Sequence, residues 1–82
     1  MSAHFILYSR ETCHLCHDMY EELRLWQTRI NFTFDVMDID EDVTLQQKYG
    51  MMVPALCNTA GEVLCYGRLN PDVLTLQIND PC

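Results

Sequence analysis

The sequence predicts an α/β fold in the order β-α-β-α-β-β-α, built on a mixed sheet. Three observations carry that reading: a short continuous apolar run near the start, a helical periodicity directly behind it, and two later apolar runs separated by a turn. The 82 residues, 49% hydrophobic and 21% charged, suffice for one domain over residues 1–82 and are too few for two cores. A folded chain of this size hides only about 60% of the surface its unfolded form exposes, so each buried side chain weighs heavily.

Phe5, Ile6, Leu7 and Tyr8 form a run too short for a helix, bounded by the polar Ser9-Arg10-Glu11-Thr12. That pattern suits a first strand buried on both faces. Behind Cys13 the period changes: Leu15, Met19, Leu23, Trp26 and Ile30 recur at helical spacing, which predicts an amphipathic helix from about His14 to Arg29. Thr12 is its expected N-cap, and Asp18, Glu21 and Glu22 lie towards its start, where the helix dipole favours negative charge. Tyr20 and Trp26 are expected to pack helix against sheet.

Phe32, Phe34 and Val36 alternate with Thr33, Asp35 and Met37, a half-buried strand that runs into the acidic Asp38-Ile39-Asp40-Glu41-Asp42. The acids serve as the cap of a short second helix over roughly Glu41 to Tyr49, stopped by Gly50. Ala55-Leu56-Cys57 and Val63-Leu64-Cys65-Tyr66 flank the turn-rich Asn58-Thr59-Ala60-Gly61, a β-hairpin pattern. Asn70-Pro71-Asp72 marks the start of a last helix with Val73, Leu74, Leu76 and Ile78 on its apolar face and Asp80-Pro81 as its stop. A right-handed crossover makes the first two strands parallel neighbours, and the hairpin adds antiparallel strands to the same sheet.

Composition narrows the function. Twelve Asp and Glu against five Lys and Arg give a formal charge of −7, which argues against nucleic acid and anionic membrane as partners. No apolar run approaches the roughly 20 residues of a spanning helix, and the opening Met1-Ser2-Ala3-His4 lacks signal-peptide character. A reducing, cytoplasmic setting and a monomer are the expectation. The five cysteines are odd in number and unevenly spaced, which is not a disulfide framework. Cys57 and Cys65 are read as small core residues, Cys82 as a terminal thiol and His4 as an exposed strand end.

The informative pair is Cys13-His14-Leu15-Cys16, at the point where the first strand hands over to the first helix. Two intervening residues hold the thiols close enough to bridge. Cys13 stands where the helix dipole, Arg10 and the His14 or His17 imidazole favour a thiolate, so it is the expected nucleophile. Cys16, one turn deeper, is the expected resolving thiol. His14 and His17 are read as thiolate-tuning or solvent-facing, because thiol exchange needs no dedicated base. Three rival readings exist. Cys13-His14-Leu15-Cys16-His17 also matches the C-x-x-C-H signature of haem attachment, although a complete α/β pattern surrounds it. Zinc would need Cys13, Cys16 and a histidine, without a second C-x-x-C. A non-catalytic binding or adaptor module is the third. Met52-Val53-Pro54 stands directly before a strand, a place for a special turn and for a cis Val53-Pro54 bond.

With these motifs the chain resembles the thioredoxin-like superfamily and, within it, the small glutaredoxin-like proteins. The resemblance spans Leu7-Tyr8-Ser9, Cys13-His14-Leu15-Cys16, Asp38-Ile39-Asp40, Val53-Pro54, the hairpin and Gly67. It implies a three-layer sandwich, with a four-stranded mixed sheet carrying helices on both faces, and a cis Val53-Pro54 bond packed against the dithiol. It also implies thiol–disulfide oxidoreductase activity through a mixed disulfide, with Cys13 attacking, Cys16 resolving and the Val53 backbone pairing with an extended substrate. No resident cofactor or metal is implied. The expected substrate is a protein disulfide or glutathione, the latter as co-substrate held by Arg10, Val53, Pro54, Gly67 and Arg68. The chain departs from the pattern in having His14-Leu15 where glutaredoxins usually have Pro-Tyr. Gly67 stands alone where two glycines are expected, and Asp72 comes late.

Overall fold

The computed structural model describes residues 3–78, so the Asp80-Pro81 stop and Cys82 lie outside the described residues, as do the side chains of Leu76 and Ile78. Four strands and three helices follow the expected order: β1 (Ala3–Ser9), α1 (His14–Trp26), β2 (Phe32–Asp38), α2 (Val43–Tyr49), β3 (Ala55–Asn58), β4 (Val63–Tyr66) and α3 (Pro71–Ile78). The sheet order is β2-β1-β3-β4. β1 runs parallel to β2, with Phe5 beside Phe34, and antiparallel to β3, with Leu7 beside Leu56. β3 and β4 form the antiparallel hairpin, with a register shift at Leu56 and Cys57.

The central place of β1 explains its apolar sequence. Phe5 and Leu7 point to one face, both fully buried, and pack there with Met19 and Leu23 of α1, Phe32, Leu56, Leu69 and, from α3, Leu74. Tyr8 belongs to the other face, where Ile39, Tyr49, Ala55 and Cys57 make a second cluster under α2. Helices therefore cover both faces, the three-layer arrangement that the resemblance implies. Phe5 meets Phe32 edge-on at 5.4 Å, and Tyr8 stacks on Tyr49 at 4.2 Å. Such pairs are worth about 0.5–1.5 kcal/mol beyond the area they bury.

Several boundaries differ from the sequence expectations for local reasons. α1 ends at Trp26 rather than Arg29. The Thr28 and Arg29 amides donate to Leu25 and Trp26 carbonyls, tightening the chain into a turn, and Gln27 Nε2 donates to the Phe32 carbonyl to tie that turn to β2. The second helix, expected over roughly Glu41 to Tyr49, begins at Val43, and a 3₁₀ turn at Ile39–Glu41 precedes it across an extended Asp42. Ile39 is fully buried in the second cluster, and the two acids cap separately: Asp38 accepts the Asp40 amide and Asp42 the Thr44 amide. His4 is no idle strand end. Its Nδ1 lies 2.7 Å from Thr33 Oγ1 and its Nε2 3.1 Å from an Asp35 carboxylate oxygen, which links β1 to β2.

Candidate functional site

The turn between β1 and α1 is set by the Cys13 amide, which donates to the Arg10 carbonyl at 3.0 Å. Cys13 itself, with φ −90° and ψ 113°, is the N-cap of α1 in place of the expected Thr12. Its Sγ accepts the Cys16 amide at 3.3 Å, so a sulfur fills the place a Ser or Asp oxygen takes at most helix starts. α1 begins at His14 as expected, and Asp18, Glu21 and Glu22 all lie beyond its first turn, which holds no acid. Asp18 instead stands 3.8 Å from the exposed His14 imidazole.

The two thiols occupy unlike surroundings. Cys13 is half-buried, whereas Cys16 is 3% exposed and belongs to the core side of α1. Burial pushes the Cys16 thiol up to about 12, and its hydrogen bond with Cys13 adds to that, while the Arg10 backbone and charge act in the opposite direction. Cys16 is therefore a protonated thiol at neutral pH. Burial also raises the Cys57 and Cys65 thiols; Cys57 is fully buried in the second cluster as expected, whereas Cys65, expected in the core, is only partly buried against the first.

Two depressions flank the first turns of α1. A cleft of about 450 Å³ on the β2 side is lined by Leu7, Ser9, Arg10, Cys16, His17, Tyr20 and Val36. A groove of about 350 Å³ on the opposite side brings Gly67, Arg68 and Leu69 against Leu15, Asp18, Met19 and Glu22. The five residues expected to bind substrate are thus distributed: Arg10 beside Cys16, Gly67 and Arg68 beside Leu15, and Val53 and Pro54 before β3. The Val53–Pro54 bond is cis, and Pro54 is buried. The Gly67 amide donates to the Pro54 carbonyl at 2.8 Å, which joins two of these segments. Gly67 has φ +79°, a left-handed value that a glycine adopts without steric cost.

Three features of the site differ from the sequence reading or were missing from it. Arg10 is already engaged, its Nε donating to Asp40 at 3.1 Å, whereas the sequence reads the acidic run as a cap alone. Leu15, expected in the core, is 50% exposed, and Cys16 takes its place on the buried stripe with Met19 and Leu23. The signal for that exchange was present, since Cys16, Met19 and Leu23 follow the spacing of three and four that keeps one helix face. Tyr20 and Val36, which close the cleft beside Cys16, had no signal of their own.

Among the described residues, no three His, Cys, Asp or Glu side chains are grouped to hold a metal ion. His17, the ligand a haem reading requires, has Nε2 at 2.9 Å from the Glu11 carbonyl oxygen. No helix among them is long and apolar enough to cross a membrane.

The model of the glutaredoxin-like domain family (DUF836) matches residues 4–79. Among solved structures, protein Ne2328 from Nitrosomonas europaea is 32% identical, with a TM-score of 0.82 over 95% of this chain and 93% of that one. The X-ray structure of a structural-genomics target protein from X. campestris is 34% identical, with a TM-score of 0.68 over 85% of this chain and 88% of that one. Its solution structure matches with a TM-score of 0.63 at 31% identity, covering 92% and 90% of the two chains. No curated protein matches the chain.

Proposed function

This chain belongs to the glutaredoxin-like domain family, and on that premise we propose that it is a thiol–disulfide oxidoreductase in which Cys13 attacks and Cys16 resolves. One observation carries the reading: the half-buried Cys13 sulfur caps α1 and accepts the amide of a Cys16 that is buried and protonated behind it. The pair is divided between an accessible sulfur and a withheld one.

In the forward half-reaction Cys13 Sγ attacks a sulfur of the substrate disulfide, forming the Cys13–substrate bond and releasing the first substrate thiolate. Cys16 then gives up its proton and attacks Cys13 Sγ; the Cys13–Cys16 bond forms, the second substrate thiolate leaves, and two electrons have passed to the substrate. The pair is restored by an external dithiol or by glutathione. The helix start serves this chemistry by holding the two sulfurs one turn apart with a backbone amide aimed at Cys13.

The substrate is proposed to be a polypeptide disulfide or a glutathione mixed disulfide, laid along the Val53 backbone with one flank in the groove at Leu15, Gly67 and Arg68. Cytoplasmic residence as a monomer completes the proposal, since a reducing compartment keeps Cys13 and Cys16 available as a dithiol. The test is a redox titration followed by alkylation. Oxidised chain should carry a Cys13–Cys16 bridge that glutathione or a dithiol reopens, with Cys13 alkylated first in the reduced form. Equal alkylation of the two, with no bridge under mild oxidant, sinks the proposal and leaves the adaptor reading.

A further inference from the structure

We propose that His17 is the proton acceptor for Cys16 in the resolving step, acting through the cleft that both side chains line. The inference rests on the redox reading above and adds a residue to it. Leu7 and Cys16, both buried, form part of the lining of this cleft of about 450 Å³, which therefore opens a path from solvent to Cys16. The resolving step needs such a path. The attacking species is a thiolate, and the Cys16 proton must leave before its sulfur can attack.

The lining decides where that proton can go. Leu7 and Val36 offer no acceptor. Arg10 has donors only, and its Nε is engaged by Asp40. The Tyr20 hydroxyl accepts from Arg24 Nη1 at 3.1 Å, and neither it nor the Ser9 hydroxyl is a base in the neutral range. Among the side chains lining the cleft, His17 alone carries a ring nitrogen whose lone pair can take the proton.

The hydrogen bond of His17 fixes which nitrogen is available. Its Nε2 lies 2.9 Å from the Glu11 carbonyl, and a carbonyl only accepts, so Nε2 carries the hydrogen. In the neutral ring Nδ1 is then the lone pair. Consecutive helical residues point about 100° apart, so the transfer runs through solvent in the cleft rather than by direct contact. The cleft is wide enough to hold that solvent. The step balances: the proton leaves Cys16 Sγ for His17 Nδ1, the Cys16–Cys13 bond forms, the Cys13–substrate bond breaks, and the substrate departs as a thiolate. His17 is exposed and returns its proton to solvent.

Reaction of the reduced full chain carrying Cys65→Ala and Cys82→Ala with dithiobis(nitrobenzoate) separates the two steps, because with Cys57 buried, attack by Cys13 releases one coloured thiolate and resolution by Cys16 releases the second. His17→Gln keeps an amide N–H for the Glu11 carbonyl but has no proton acceptor of comparable basicity. The urea midpoint of the variant should match that of the unmodified chain, which shows that it is folded, and its second release is read against its own first. The second should slow about tenfold or more near neutral pH, become proportional to hydroxide, and recover when free imidazole is added. An unchanged second release overturns the proposal, as does a slow one that imidazole fails to restore. If the unmodified chain gives no first release, the redox reading itself fails and this inference fails with it.

Discussion

Arg10 and Asp40 stand 30 residues apart in sequence and meet at 3.1 Å, guanidinium Nε to carboxylate. Both side chains are partly exposed, and such surface pairs are worth roughly 0–1 kcal/mol. The pair therefore matters less for stability than for what it does to a cation beside Cys16. Replacing the acid by its amide should release the guanidinium towards an incoming carboxylate. Asp40→Asn is expected to raise kcat/KM for a glutathione mixed disulfide by about two- to fivefold at low ionic strength and to lose that advantage in about 1 M salt. Unfolding free energy should change by less than about 1 kcal/mol. Steady-state kinetics at the two ionic strengths check this, and an unchanged low-salt kcat/KM would remove Arg10 from substrate binding.

Cys13 and Cys16 differ in exposure, so their serine variants should fail differently. Cys13→Ser is expected to abolish disulfide exchange, while an adaptor function would keep its affinity. Cys16→Ser should still form the mixed disulfide but accumulate it, because no thiol remains to release the substrate. Mass spectrometry of each variant after mixing with a disulfide distinguishes a covalent adduct from none. Cys16→Ser also sets a hydroxyl in a core position, at a cost of about 1–3 kcal/mol if it finds no partner.

Burial raises the acid groups of Cys16, Cys57, Cys65, Tyr8 and Tyr49 alike, Cys16 to about 12. Each binds its proton more tightly folded than unfolded. Their contribution to stability is therefore complete below the unfolded values, about 8.5 for a thiol and 10 for a phenol, and is lost as pH rises through the folded ones. One fully engaged thiol lowers the unfolding free energy by about 1.4 kcal/mol per pH unit in that window. Urea unfolding in the presence of reductant, near pH 7, about pH 9 and about pH 10.5, should show a steady alkaline decline. Cys16→Ala should make the decline shallower, and an identical slope in that variant would contradict the assigned burial effect.

The fold was legible because its strongest signals are local. The run Phe5-Ile6-Leu7-Tyr8, the period change at Cys13, the Asn58–Gly61 turn and Asn70-Pro71-Asp72 each name an element without reference to the rest of the chain. The crossover and the hairpin account for two neighbour pairs of the observed order β2-β1-β3-β4, β1 with β2 and β3 with β4, while the joining of β3 to β1 had no signal in either. What was not legible depends on tertiary contact. The Arg10–Asp40 pair and the split at Asp42 arise because Ile39 turns into the second cluster. The cleft beside Cys16 exists only once β2 lies next to β1, and no pattern within α1 or β2 announces it.

Leu15 offers the sharpest check on the helix face, since its neighbour Cys16 faces the core while Leu15 is 50% exposed beside Gly67 and Arg68. A leucine left half in water between two cysteines contributes little to folding and lines the groove proposed to take one flank of the substrate. Leu15→Ser should therefore change the unfolding free energy by no more than about 0.5 kcal/mol. Leu23→Ala, on the fully buried stripe, should cost about 2–5 kcal/mol, a large share of the 5–15 kcal/mol that holds a small domain together. The kinetic effects should run the other way. In folded Leu15→Ser, turnover of a polypeptide disulfide is expected to fall several-fold, and reaction with a small aromatic disulfide to stay the same, because only the larger substrate reaches the groove. Chemical denaturation and the two assays together decide the matter. A large loss of stability in Leu15→Ser would return Leu15 to the core, and equal losses with both disulfides would show that it acts on the thiols rather than on the substrate.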